Sequence, residues 1–164
     1  MKSRPGKGTV FKAYFPVIKT AAEPEEKTRA EPIVGGTEHV LLVDDEIIVA
    51  DATRGRLNAL GYRVTIETDS VQALERFRQG PGDYDLVITD MTMPGMSGEK
   101  MAREIMGICP KIPVILSTGF NPKICEQKAL EKGFAAFLTK PVALRDMAMA
   151  LRRALDGLDK KDLP

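Results

Sequence analysis

The sequence predicts an α/β fold, a doubly wound five-stranded parallel sheet with helices on both faces. From His39 onward, short apolar runs alternate five times with segments of helical periodicity. The connections between them are short, which is typical of parallel strands joined by covering helices. We predict strands over 39–43, 62–67, 85–89, 113–117 and 134–138. We predict helices over 46–60, 70–79, 97–107, 122–132 and 142–156.

The last two helices carry the clearest local signals. Between Leu144 and Leu158, apolar residues recur at spacings of three and one, which places them on one stripe of a helix. In the fourth helix, Asn121 is an expected N-cap and Pro122 occupies the first helical position. Gly133 is placed to end that helix.

The overall composition is that of an ordinary globular domain. The chain has 164 residues, 43% of them hydrophobic and 29% charged, and a net charge of +1. No bulk field favours nucleic acid or a membrane surface, and no apolar stretch approaches the ~18 residues that span a bilayer. The two cysteines, Cys109 and Cys125, form neither a disulfide framework nor a CxxC site. We therefore expect a cytoplasmic segment with no nucleic-acid partner and no membrane contact of its own.

Polar side chains follow four of the five predicted strands. The acid pair Asp44-Asp45 follows the first strand, Asp90 the third, Thr118 the fourth and Lys140 the fifth. The carboxyl ends of parallel strands meet in the crevice where open α/β sheets bind ligands. We therefore expect three carboxylates, a hydroxyl and an ammonium group to converge there. The second strand has no such group and is predicted to lie at a sheet edge.

The chemistry of this set indicates a cation and a phosphoryl group. Two carboxylates ~4 Å apart repel by about 4 kcal/mol at an effective dielectric of 20. Hard oxygen donors without nearby His or Cys are typical of a Mg²⁺ site. A carboxylate can also attack phosphorus to form an acyl phosphate, whose charge a metal and a lysine would offset.

Residues 38–158 resemble the receiver domain of two-component signalling. The resemblance implies a flavodoxin-like fold with five helices and strand order 2-1-3-4-5. Its motifs are the acid pair Asp44-Asp45, the phosphoacceptor loop Asp90–Gly98, the switch hydroxyl in Leu116–Gly119 and the lysine-proline pair in Leu138–Pro141.

The resemblance also implies how the phosphoryl group and the metal are held. Asp90 takes the phosphoryl group from a phosphohistidine. Asp45, Asp90 and the backbone carbonyl of Thr92 bind Mg²⁺ directly, and Asp44 assists through water. The phosphohistidine belongs to a histidine-kinase dimerisation domain or a histidine phosphotransfer protein.

Further roles implied by the resemblance concern the switch. Thr118 and Lys140 hold the phosphoryl oxygens, and the bond between Lys140 and Pro141 is cis. Phe137 stands where the family has a switch aromatic. Phosphorylation is then expected to change a protein-interaction surface.

The first 18 residues carry a second resemblance. The stretch 6–16 looks like the last strand of a histidine-kinase ATP-binding domain, with a strand from Gly8 to Phe15 ended by Pro16. Residues 19–37 are predicted to be a linker, and 159–164 a tail. The resemblance implies the C-terminal receiver of a hybrid sensor kinase. The parent would be a membrane-anchored kinase, and this segment has no kinase active site of its own.

Two other functions remain open from the residues. One is a Mg²⁺-dependent phosphohydrolase that forms an aspartyl phosphate. Enzymes resembling the haloacid-dehalogenase group place Asp-x-Asp after the first strand, whereas Asp44 and Asp45 are adjacent. The other is a non-phosphorylated pseudo-receiver that acts as a scaffold, against which the intact set of acids, hydroxyl and lysine argues.

Overall fold

The structure is a computed structural model that describes residues 2–4, 6, 8–14, 33–119 and 131–157. The chain divides into two compact units, Met1–Glu31 and Pro32–Pro164, which are described separately. In the larger unit the elements are β3 (His39–Val43), α1 (Ile47–Ala59), β4 (Arg63–Glu67), α2 (Ser70–Gln79), β5 (Leu86–Asp90), α3 (Gly98–Ile108), β6 (Val114–Thr118), β7 (Ala136–Thr139) and α4 (Leu144–Asp156).

The five strands of this unit form one parallel sheet in the order β4-β3-β5-β6-β7. Counted within the sheet, this is the predicted order 2-1-3-4-5. The strand over Arg63–Glu67 lies at an edge, as predicted. The α/β class, the five parallel strands and their order are therefore confirmed.

Helices cover both faces of the sheet because β3, β5 and β6 are apolar on both sides. In β3, Leu41 and Val43 belong to the core shared with α2 and α3. The alternate residues Val40 and Leu42 belong to the core shared with α1 and α4. A strand buried on both faces is expected to be a continuous apolar run rather than an alternating one.

The structure describes four of the five predicted helices. The fourth, predicted over 122–132 with Asn121 and Pro122 at its start, lies outside the described residues except for its end. Glu131 is helical, and Gly133 follows with a left-handed φ of 87°, a conformation that suits glycine. Cys109 is a free thiol, whereas Cys125 lies outside the described residues.

The helix predicted over 142–156 begins two residues later than expected. Ala143 is extended, with φ −71° and ψ 147°, and serves as the N-cap of α4. The apolar stripe did not reveal this boundary, because Val142 precedes the helix but is also apolar and packs against the same core. Leu158, the tail 159–164 and most of the linker 19–37 lie outside the described residues.

The smaller unit is a two-stranded antiparallel hairpin, β1 (Lys2–Arg4) and β2 (Gly8–Val10). The predicted strand is confirmed only over Gly8–Val10, since 11–14 have no regular structure. A strand extends only as far as its partner, and β1 has three residues. Phe11 and Tyr14 are strongly exposed, and Phe15 and Pro16 lie outside the described residues.

Over the part of the chain that the structure describes, no helix has the length and apolar character needed to cross a membrane.

Candidate functional site

The predicted polar residues meet at the carboxyl edge of the sheet. Asp90 and Thr118 are the last residues of β5 and β6. Asp44 and Lys140 come directly after β3 and β7. Three of these residues are buried although they lie at the ends of strands: Asp44, Asp90 and Thr118.

One ammonium group joins two of the acids. Lys140 Nζ lies 2.7 Å from Asp44 Oδ2 and 2.6 Å from Asp90 Oδ1. Partial burial disfavours the charge of Lys140, but its hydrogen bonds to both carboxylates outweigh that effect and raise its pKa. Lys140 is therefore protonated at neutral pH and offsets one of the two negative charges of the buried acids.

The second oxygen of Asp90 is also held. The Thr92 backbone N–H donates to Asp90 Oδ2 at 2.7 Å. On the neighbouring strand, the carbonyl of Ser117 accepts from the Met91 backbone N–H at 2.8 Å. The Asp90 carboxylate is thus oriented from both sides by groups on different elements, which is the preorganisation that a reacting group needs.

The backbone also fixes the lysine. The bond between Lys140 and Pro141 is cis. The Lys140 backbone N–H donates to the carbonyl of Thr118 at 2.7 Å. The lysine side chain therefore starts from the end of β6 and β7 and extends over the sheet edge toward β5 and β3.

The third acid does not join this cluster. Asp45 is exposed, whereas Asp44 Oδ1 accepts from the Glu46 backbone N–H at 3.1 Å. Within 33–119 and 131–157, no three His, Cys, Asp or Glu side chains are grouped to hold a metal. The meeting of three carboxylates at a metal therefore stays a prediction. Lys140 contacts two of the acids, and Asp45 faces solvent.

The donors nevertheless suit a magnesium ion. Mg²⁺ keeps several waters and is usually bound by one or two carboxylates, completed by phosphate oxygens. Asp45, next to the buried Asp44 in the chain, is exposed and presents its carboxylate to solvent. The chemistry of the donor set fits the ion, with all ligands hard oxygens.

Phe137 lies in β7 and pairs in register with Leu116 of β6. Its side chain is partly buried and packs against the core cluster under α2 and α3.

Sequence reasoning missed the role of Gly98, the first residue of α3. A Cβ built on Gly98 would lie 1.8 Å from the carbonyl oxygen of Asp90 and 2.6 Å from Thr89 Oγ1. The Gly98 backbone N–H donates to the carbonyl of Met91 at 3.2 Å, which closes the loop. The glycine therefore lets α3 approach the end of β5, and the sequence showed only that a glycine ended the motif.

A cleft next to the acids was also not predicted. Its volume is about 430 Å³, and it lies between α1 and the segment from β7 into α4. Ile48 and Pro141 line its walls, and Asp44, Asp90 and Lys140 lie along it. The site is thus open on the side of α1.

A parallel sheet with a lysine-bridged acid pair at its carboxyl edge defines the class of protein. The response regulator receiver domain family matches residues 40–152. The chain belongs to this family, and it is a receiver domain of two-component signalling.

Relatives with longer chains extend the similarity beyond the receiver. The chain is 30% identical over 165 residues to the sensor kinase CckA of Brucella abortus (strain 2308), covering 96% of this chain and 18% of that protein. It is 27% identical over 162 residues to the aerobic respiration control sensor protein ArcB of Escherichia coli (strain K12), covering 98% of this chain and 21% of that one. The chain therefore spans about a fifth of the length of these relatives.

Solved structures agree with the fold. A response regulator receiver domain protein from Clostridium thermocellum has a TM-score of 0.69 and 32% identity, covering 73% of this chain and 95% of that one. A CheY-like receiver domain protein from Methanospirillum hungatei JF-1 has a TM-score of 0.65 and 25% identity, covering 74% and 96%.

We expect Gly98→Ala to destabilise the protein, because the new methyl group would collide with the backbone of Asp90. The matched control is Gly107→Ala in the same helix, where a Cβ meets nothing within 4 Å among the described residues. That change should stabilise by at most about 0.5 kcal/mol, because Gly107 is the penultimate residue of the helix and alanine favours a helix less strongly there than in its interior. Urea denaturation of both variants measures the difference. Equal stability of the two variants would contradict the close approach.

Proposed function

We propose that this receiver accepts a phosphoryl group from a phosphohistidine onto Asp90. The observation that carries the proposal is the Asp90 carboxylate, buried at a strand end and oriented by Lys140 Nζ and the Thr92 N–H. A carboxylate oxygen would attack phosphorus, the P–N bond would break, and the imidazole would leave and take up a proton. The product is an acyl phosphate on Asp90.

The neighbouring residues support this transfer. Lys140 supplies a positive charge within hydrogen-bond distance of Asp90 and would follow the new phosphoryl oxygens. Thr118, the last residue of the next strand, would contact them as well. The metal ligands would be Asp45, Asp90 and the Thr92 carbonyl, with Asp44 acting through water. Mg²⁺ would offset charge on the phosphoryl group.

The surface beside the cleft favours a protein phosphodonor. Ile48 is 82% exposed and Ile47 is also exposed, and both begin α1 next to the acids. Exposed apolar residues at the rim of a polar site are typical of a docking surface. A kinase dimerisation domain or a histidine phosphotransfer protein in the cytoplasm would present its phosphohistidine here.

The response to phosphorylation would run through Thr118 and Phe137. When Thr118 turns toward a phosphoryl oxygen, it vacates space beside β7. The partly buried ring of Phe137 would then move inward and change the surface beside β7. An intact lysine and acid pair favours this phosphorylated switch over a pseudo-receiver scaffold.

The N-terminal unit supports an origin in a hybrid sensor kinase. Its hairpin, with Val10, Phe11 and Tyr14 exposed, has the character of a piece of a larger sheet. The similarity to two sensor proteins covers nearly the whole chain and so includes this unit. The ATP-binding domain and the donor histidine would then belong to the same parent protein, a kinase anchored in a membrane.

The decisive test is intact mass after incubation with Mg²⁺ and the small phosphodonor phosphoramidate. We expect one phosphate increment on the wild-type chain and none on Asp90→Ala, because the acceptor carboxylate is gone. Asp51→Ala is the matched control, since Asp51 is an exposed acid paired with Arg54 on α1. A wild type that stays unmodified, or an Asp90→Ala variant that gains the increment, would refute the proposal.

A second expectation concerns the metal. Asp45→Ala should raise the Mg²⁺ concentration needed for half-maximal phosphorylation by at least about tenfold, because even indirect ligand partners cost that much. Stability without metal should hardly change, since Asp45 is exposed. Glu46→Gln is the control, because its side chain makes no cap hydrogen bond. An unchanged Mg²⁺ requirement in Asp45→Ala would show that Asp45 is not a ligand.

A further inference from the structure

A second polar cluster lies at the amino ends of the strands, whereas the acids lie at their carboxyl ends. Glu38 directly precedes β3, Tyr62 directly precedes β4, and Arg152 lies in the last turns of α4. An Arg152 Nη2 group donates to Glu38 Oε1, and the guanidinium carbon lies 5.5 Å from the centroid of the Tyr62 ring. The cluster thus connects Glu38, where the predicted linker meets the sheet, to α4.

The backbone of the linker is closely fitted to this place. A Cβ on Gly35 would lie 1.9 Å from the Leu60 carbonyl oxygen. A Cβ on Gly36 would lie 2.0 Å from Glu38 Oε2 and 2.6 Å from the Tyr62 ring. The Gly36 backbone N–H donates to the same Leu60 carbonyl at 3.0 Å. Only glycines allow the linker to pass this close to the turn after α1.

The cluster is shielded from water. Tyr62 is 2% exposed, and Glu38 and Arg152 are partly buried. Three buried atoms of the cluster have no hydrogen-bond partner among the residues that the structure describes: Glu38 Oε2, Tyr62 Oη and Arg152 Nε. A partly buried ion pair costs desolvation and contributes little stability by itself, so a positional role accounts for it better.

A rigid element connects this cluster to the acids. Lys140 lies four residues before the start of α4, and Arg152 lies about 12 Å along that helix from Leu144. The helix packs on the sheet through Met147 and Leu151, both buried. A displacement of the Lys140 segment would therefore move α4 as a body and reach the Arg152–Glu38 contact.

We propose that Glu38, Tyr62 and Arg152 form a clamp that couples the linker at Gly35 and Gly36 to the state of the phosphoacceptor site. The clamp is closed while Lys140 bridges Asp44 and Asp90. When Lys140 follows a phosphoryl group, α4 shifts and the clamp loosens. This coupling rests on the proposed phosphorylation of Asp90, whereas the closed clamp itself does not.

Hydrogen–deuterium exchange of the full chain tests the clamp through the Gly36 amide. Without donor, Arg152→Met should speed exchange at Gly36 by about tenfold, the effect of losing a charged hydrogen bond. Arg153→Met, the next residue in the same helix, should match the wild type. Glu38→Gln is a second variant that weakens the pair without removing the arginine stem. Unchanged Gly36 exchange in both Arg152→Met and Glu38→Gln would overturn the clamp.

The same measurement with Mg²⁺ and phosphoramidate tests the coupling, and intact mass reports the phosphorylated fraction of each sample. Phosphorylated wild type should show faster Gly36 exchange, and phosphorylated Arg152→Met should show no further change. Phosphorylated wild type with unaltered Gly36 exchange would overturn the coupling. Absence of a phosphate increment would instead contradict the proposed function, and the donor-free comparison would still decide on the clamp.

Discussion

The site depends on one interaction, the contact of the Lys140 ammonium group with the carboxylates of Asp44 and Asp90. Each acid is buried, and a buried carboxylate is costly unless a positive charge or hydrogen bonds compensate it. Lys140 supplies that charge to both at once. It also joins the ends of three strands that lie apart in the sequence. Without it, two buried negative charges would face each other at the edge of the sheet.

Sheet topology explains why a lysine is needed. In the order β3-β5-β6-β7, Asp90 is two strands away from Lys140, which at ~4.8 Å per strand is about 10 Å. The lysine must therefore cross the end of β6, where Thr118 is located. Its four-carbon stem and the hydrogen bond from its N–H to the Thr118 carbonyl make this reach possible. The same path brings the ammonium group past the end of β6 to the carboxylate of Asp90.

Much of this arrangement follows from sequence patterns. Continuous apolar runs mark strands that are buried on both faces, and the polar residue after each run marks the carboxyl edge. Alternation alone left the sheet order open, and the resemblance to receivers supplied it. The exposure of Asp45 was not predictable, because spacing along the chain does not reveal which of two adjacent acids the lysine will hold. The sequence does not reveal the importance of Gly98, Gly36 or the Glu38–Arg152 pair, because that importance comes from tertiary contacts between distant segments.

The two polar clusters lie at opposite ends of the strands, and Lys140 is the cation of the cluster at the carboxyl ends. A raised pKa at Lys140 means that its contribution to stability is fully present at neutral pH. That contribution is lost only as pH rises through the pKa of the folded state. The most direct test of the bridge is an NMR titration of the Lys140 side chain, assigned by comparison with Lys140→Met. If the two carboxylates hold the ammonium group, the midpoint lies above the ordinary lysine pKa of 10.5. A midpoint at or below that value would show that the two carboxylates do not hold the ammonium group in solution.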